Sequence, residues 1–145
     1  MATTKYDRIP IIVEQTAPVP LGNYSHAVKA GPLLFVSGQG ARDPNTGTEC
    51  GVTLDCGGKV VSYDIEVQTR ACIANLKVVL EAAGCTLKDL VDVSVFLADI
   101  NDFAKYNRVY TEFFSFPGPP ARTTVQAAAL PGKNFIEIKA IALCP

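Results

Sequence analysis

Residues 92–128 read DVSVFLADINDFAKYNRVYTEFFSFPGPPARTTVQAA, and this stretch decides the fold. From Asp92 to Leu97 the apolar residues Val93, Val95 and Leu97 alternate, which is the period of a strand. From about Asn101 the spacing changes. Phe103, Tyr106, Tyr110 and Phe113 stand at i, i+3, i+7 and i+10, one apolar stripe along a helix. Pro117 and the pair Pro119-Pro120 end that helix. Thr123 to Ala128 then returns to small and β-branched residues, a second strand. A strand–helix–strand unit predicts a parallel pairing through a right-handed crossover.

Upstream, the clearest helix runs from about Tyr63 to Ala83, with Ile65, Cys72, Ile73, Leu76, Val79 and Leu80 at helical spacing. Ser62 or Asp64 can cap its first turn, and Gly84 suits a left-handed stop. Thr86 to Asp89 has the pattern of a capping box over a single turn. Nearer the start, Ser25–Lys29 and Leu33–Ser37 flank Ala30-Gly31-Pro32, the pattern of a hairpin, and Gly38-Gln39-Gly40 bends its exit. Ile9 to Val13, interrupted by Pro10, predicts an edge strand. Residues 43–59 are rich in Gly, Asp, Asn and Thr and predict a long loop with one short strand near Val52–Leu54. Downstream, Thr123–Ala128 and Asn134–Leu143 are expected to pair as a hairpin around Leu130-Pro131-Gly132-Lys133. The order predicts one α+β domain over residues 1–145, a sheet with both helices on one face. The other face then needs a cover, and another copy of the chain is the expected one.

Composition limits the function. The 145 residues carry 13 Lys+Arg against 14 Asp+Glu, a formal net charge of −1. That balance offers no basic excess for phosphates and disfavours nucleic acid as a partner. No apolar run approaches the roughly 20 residues that span a bilayer, so no membrane partner is expected. The first residues, MATTKYDRIPIIVEQ, lack the apolar core of a signal peptide, and the protein is expected to be cytoplasmic. Five cysteines, none in a CxxC, read as reduced, and His26 is the single histidine. A metal site is therefore not expected. Catalysis has to draw on arginine, carboxylate, hydroxyl, amide and backbone groups.

Arg122 stands first among those groups. Prolines fix the chain before it and a stiff strand follows, so its guanidinium is pre-organised either to grip a carboxylate or to form a structural ion pair. Glu137 alternates with Ile136 and Ile138, which puts Phe135, Glu137 and Lys139 on one face. It is either part of a solvated face or, where that face meets another subunit, an acid/base or water-orienting group. Ser37-Gly38-Gln39-Gly40 lacks the spacing of a phosphate loop, and its glycines suit close approach of the backbone to a small ligand. Tyr24 either lines a pocket or packs. Asn107 either caps a backbone group or faces a ligand. His26 reads as structural or surface, and the cysteines read as small buried hydrophobes.

Pro120-Ala121-Arg122 followed by Phe135-Ile136-Glu137-Ile138-Lys139-Ala140-Ile141-Ala142 resembles the Rid family, the reactive-intermediate deaminases also called YjgF or L-PSP. Leu34-Phe35-Val36-Ser37-Gly38-Gln39, Leu80-Glu81-Ala82-Ala83-Gly84 and Asn101-Asp102-Phe103-Ala104 extend the likeness over roughly Pro18 to Ala142. The resemblance implies a chorismate-mutase-like sandwich with a mixed sheet. It implies a homotrimer around a central β-barrel, with sites between subunits. It also implies hydrolysis of enamines and imines to a 2-oxo acid and ammonia, with no cofactor. Carried onto this chain, Arg122 would bind the substrate carboxylate and Glu137 would handle protons and orient water. Tyr24, Ser37, Gly38, Asn107 and Thr124 would line the pocket. Thr124 stands where many relatives have cysteine, so thiol chemistry there is excluded. Ser37–Pro44 and the long 43–62 segment resemble the 2-aminomuconate deaminase branch, which acts in aromatic catabolism. That branch implies a dicarboxylate substrate and a second cation, Arg42 first and Lys139 second. Arg42 paired with Asp43 or Glu49 is the alternative. The other functions the resemblance leaves open are a general 2-imino acid deaminase and a non-catalytic or ribonuclease-type L-PSP protein.

Overall fold

The computed structural model describes residues 7–145. Its main sheet has six strands: β1 (Arg8–Ile11), β2 (Ala27–Ala30), β3 (Leu33–Gln39), β6 (Leu90–Leu97), β7 (Ala121–Gln126) and β8 (Ile136–Leu143), in the order β1-β2-β3-β8-β6-β7. A separate hairpin pairs β4 (Val52–Leu54) with β5 (Val60–Tyr63). The helices are α1 (Ile65–Ala82) and α2 (Phe103–Phe113). Asp64 caps α1 by accepting from the N–H groups of Glu66 and Val67, and Gly84 follows with φ of 80°. Thr86 and Asp89 close the expected capping box over one 3-10 turn.

The stretch that decided the fold behaves as read. β6 and β7 pair in parallel across α2, with Val93 opposite Arg122 and Val95 opposite Thr124. The expected hairpin between the last two strands is not formed, and this is a correction. β8 inserts between β3 and β6, antiparallel to both, so β6 separates it from β7. The physical reason is burial. Ile136, Ile138, Ala140 and Ala142 are all buried beneath α1, which suits a central strand, whereas β7 is an exposed edge. The short strand expected near Val52–Leu54 forms as β4, and it gains an antiparallel partner the sequence reading did not foresee, β5, directly after the 43–59 loop.

One face of the sheet carries the core. Leu34, Val36, Val93, Val95 and Leu97 meet Cys72, Ile73, Leu76, Val79 and Leu80 of α1 and Tyr106 and Tyr110 of α2. The other face is open and unusually apolar. Phe35, Val91, Val125 and Leu143 are each 39–47% exposed there. Two of the five cysteines meet, which the sequence reading did not foresee. Cys85 and Cys144, both buried, face each other with their Cα atoms 6.1 Å apart, while Cys50, Cys56 and Cys72 stand apart from any other cysteine. Their 59-residue separation leaves no local pattern for a reader of the sequence.

Candidate active site

Glu137 pairs with Phe96, and its neighbours Ile136 and Ile138 are buried under the helices. Alternation therefore aims the Glu137 side chain at the open face. It sits against Gly38 so closely that a Cβ there would lie 2.8 Å from the carboxyl carbon. Burial pushes the Glu137 carboxyl above its usual range, with the Lys139 charge pulling partly back. A cavity of about 210 Å³ adjoins it, walled by Pro18, Leu21, Tyr24, Gly38, Arg42 and Asn134 among others.

The wall is built from buried polar bonds. His26 is structural and 4% exposed. Its Nδ1 accepts from the Val13 N–H at 3.1 Å and its Nε2 donates to the Pro18 carbonyl at 2.9 Å. Those two bonds pin the arm that presents Tyr24, whose hydroxyl accepts from the Leu21 N–H. Asn134 Oδ1 accepts from the Ala41 N–H at 2.8 Å, on the chain just past β3. The Ser37 hydroxyl donates to the Ser25 carbonyl at 2.7 Å, so Ser37 braces the arm beside the cavity. Arg42 lines the cavity and donates to the Val19 carbonyl. No ion pair joins Arg42 to Asp43 or Glu49 among the described residues. Glu49 instead accepts from the Lys133 N–H. Lys139 lies exposed on the open face and is not part of the cavity wall.

Arg122 is elsewhere. Its register partner Val93 is buried, so Arg122 points to the helix face at the edge of the sheet. Its Nη1 donates to Asn107 Oδ1 at 2.7 Å. The rings of Phe103, Tyr106 and Tyr110 surround its guanidinium at 5.7, 5.5 and 4.6 Å. Thr124, one period along, is hydrogen-bonded through Oγ1 to the Tyr106 hydroxyl. Asn107, Tyr110, Pro120 and Arg122 line an open groove. Among the described residues none of the partners of Arg122 is an anion, so its charge faces that groove uncompensated.

The expected residues thus form two half-sites. Tyr24, Gly38, Arg42 and Glu137 share one, braced by Ser37; Asn107, Thr124 and Arg122 share the other. Along β6 the two anchors are three positions apart with that strand between them, which puts their Cα atoms about 14 Å apart. Their side chains leave opposite faces of the sheet. Sequence reasoning missed the aromatic surround of Arg122 and the Asn134 wall. The aromatic stripe of α2 was legible, but only as core, because its contact with β7 depends on the parallel register. Asn134 carried no local signal.

Comparison with known proteins gives a consistent result. The sequence model of the endoribonuclease L-PSP family matches residues 14–144. A RutC family protein of Pyrococcus horikoshii is 46% identical over 132 residues, covering 91% of this chain and 95% of the relative. The 2-iminobutanoate/2-iminopropanoate deaminase of Salmonella typhimurium is 37% identical and covers 91% and 95%. The crystal structure of E. coli TdcF with bound serine superposes with a TM-score of 0.78 at 36% identity, covering 92% of this chain and 97% of that one. A match over almost the whole chain, with the same α+β architecture, makes this protein a member of the Rid family, the L-PSP proteins.

Proposed function

We propose that the protein is a deaminase of 2-imino acids and their enamine tautomers, working in clefts closed by a second copy of the chain. The observation that carries this reading is the division of the site. An unneutralised guanidinium and a carboxyl with a raised pKa lie on opposite faces of one sheet, and only another protomer can bring them to one ligand. The apolar open face supplies a surface for that contact, and a trimer closed around these faces is the assembly we propose. The activity named for the Salmonella relative supports the same chemistry.

In the proposed reaction Arg122 of one copy holds the carboxylate next to the imine carbon through two parallel hydrogen bonds. Water adds to that carbon, and Glu137 of the neighbouring copy takes its proton and delivers it to nitrogen. The carbinolamine then collapses. Its hydroxyl proton passes through Glu137 to the amine, the C–N bond breaks, and ammonia leaves a 2-oxo acid. Imine plus water becomes oxo acid plus ammonia, with no change of oxidation state. A carboxyl poised above its ordinary range suits a group that must both accept and donate within one turnover. Asn107 and the backbone at Gly38 and Thr124 complete the pocket, with Tyr24 as one wall.

Within this class, the guanidinium of Arg42, which lines the same cavity as Glu137 and has no acidic partner among the described residues, favours a substrate with a second carboxylate. 2-Aminomuconate is the six-carbon case, and its product would be 2-oxo-3-hexenedioate. The test is ammonia release from freshly generated 2-aminomuconate and from 2-iminopropanoate, side by side. Turnover of both, with Arg122→Ala losing about 100-fold in kcat/KM, is expected from the loss of a charge-assisted bidentate contact. Failure on both substrates, or near-full activity in Arg122→Ala, rejects the deaminase reading. Preference for 2-iminopropanoate keeps the general reading and removes the dicarboxylate one. Salt-sensitive cleavage of RNA by the pure protein, lost in Arg122→Ala, would instead favour a ribonuclease.

A further inference from the structure

The surroundings of Arg122 have a feature that carboxylate binding alone does not require. Three aromatic side chains of α2 pack around one guanidinium, with Tyr110 the nearest at 4.6 Å. Tyr110 is 6% exposed, and its hydroxyl has no hydrogen-bond partner among the described residues. Its ring is stacked on Phe114 at 4.0 Å and meets Tyr106 edge-on at 6.4 Å, so it has little freedom to turn. A buried hydroxyl without a partner is unfavourable. The position is therefore held by its ring and not by its oxygen. Ring faces attract a guanidinium while leaving its charge intact, which a carboxylate partner would not.

We propose that Tyr110 is a positioning residue: its ring, backed by Tyr106 and Phe103, fixes the direction of the Arg122 fork and so sets affinity for the substrate carboxylate. The idea rests on the deaminase reading for its kinetic consequences but not for its physical basis. Arg122 touches the substrate, while Tyr110 acts only through it. A contact that serves ground state and transition state alike changes KM and leaves kcat in place. Burial pushes the Tyr110 hydroxyl up to about 12, so the ring stays neutral through the working pH range.

The variants Tyr110→Phe, Tyr110→Leu and Phe103→Leu test it. Tyr110→Phe keeps the ring and is expected to keep KM and kcat within twofold, with thermal stability unchanged or higher. Tyr110→Leu is expected to raise KM about tenfold, and to weaken binding of the 2-oxo acid product equally, with kcat within twofold. Phe103→Leu, at a half-exposed ring 5.7 Å away, is expected to raise KM two- to threefold and decides the matter should Tyr110→Leu not fold. The Arg122 Nε–H resonance, assigned by its loss in Arg122→Lys, should be displaced by ring currents in the wild type and in Tyr110→Phe, and return toward the other arginines in Tyr110→Leu. A Tyr110→Leu enzyme with unchanged KM, a fall confined to kcat, or Tyr110→Phe behaving like Tyr110→Leu would overturn the proposal. Absence of any imine turnover would reject the deaminase reading, while the resonance and product-binding measurements would still judge the cage.

Discussion

Gly38 and Glu137 stand in close juxtaposition in the carboxylate half-site. The glycine does not adopt a left-handed conformation, so the backbone would accept alanine. What an added methyl meets is the carboxyl end of Glu137, 2.8 Å away, and that end can swing aside. Gly38→Ala should therefore fold normally but carry the Glu137 carboxyl, which the proposed reaction uses, about 1 Å out of place. Displacement on that scale costs about 100-fold in well-oriented reactions. We expect a fall of 10- to 100-fold in kcat with a melting temperature within a few degrees of wild type. An unfolded Gly38→Ala, or a fully active one, would show that the glycine serves the backbone or nothing. Glu137 itself was legible as an acidic break in a β-branched run, but its partner at residue 38 was not. Contact between positions 38 and 137 depends on the β3–β8 pairing and its irregular register between Val36 and Gln39, which no local pattern announces.

At the scale of elements, one buried amide ties the long helix to the loops that wall the cavity. Gln68, on the first turns of α1, is fully buried. Its Nε2 donates to the carbonyls of Cys50 and Lys133 at 3.0 and 2.9 Å, and its Oε1 accepts from the Phe135 N–H at 2.7 Å. Gln68→Leu keeps the volume, removes three bonds and leaves three backbone groups unsatisfied. At about 1 kcal/mol for each net bond, the loss should be about 3 kcal/mol or more. Urea denaturation should show a lower midpoint with an unchanged slope, and a loss under about 1 kcal/mol would mean water replaces the amide. The helix around Gln68 was readable because α1 repeats its apolar face over five turns and ends at Gly84. The strand order was not. Local alternation marks Ile136–Leu143 as a strand and says nothing of whether it pairs with β7 or with β3 and β6; the depth of burial on both sides decides that. Alternation nonetheless told correctly which face Glu137 would take, because that depends only on neighbours in sequence.

At the scale of the whole molecule, the proposed assembly is what would couple the two half-sites, and that coupling would carry a pH signature. In a single chain, burial raises the Glu137 carboxyl above its usual range. When a neighbouring copy brings Arg122 to it, the guanidinium favours the charged form and lowers that pKa. The assembled state then binds fewer protons than separate chains across the window between the two values. By linkage, assembly is fully favoured above the raised value of the separate chain and weakens as pH falls through the lower value of the assembly. The window lies around and above the ordinary carboxylate value of 4.5. Sedimentation velocity from pH 7.5 down to 4.5 should show the assembly dissociating at higher protein concentration as the solution is acidified. Glu137→Gln should flatten that dependence, since it carries no proton to exchange. The same acid dependence in Glu137→Gln would mean that other groups govern assembly. A wild-type protein that stays monomeric at pH 7.5 would mean that the guanidinium and the carboxyl never meet, because the sheet that separates them leaves no route within one chain.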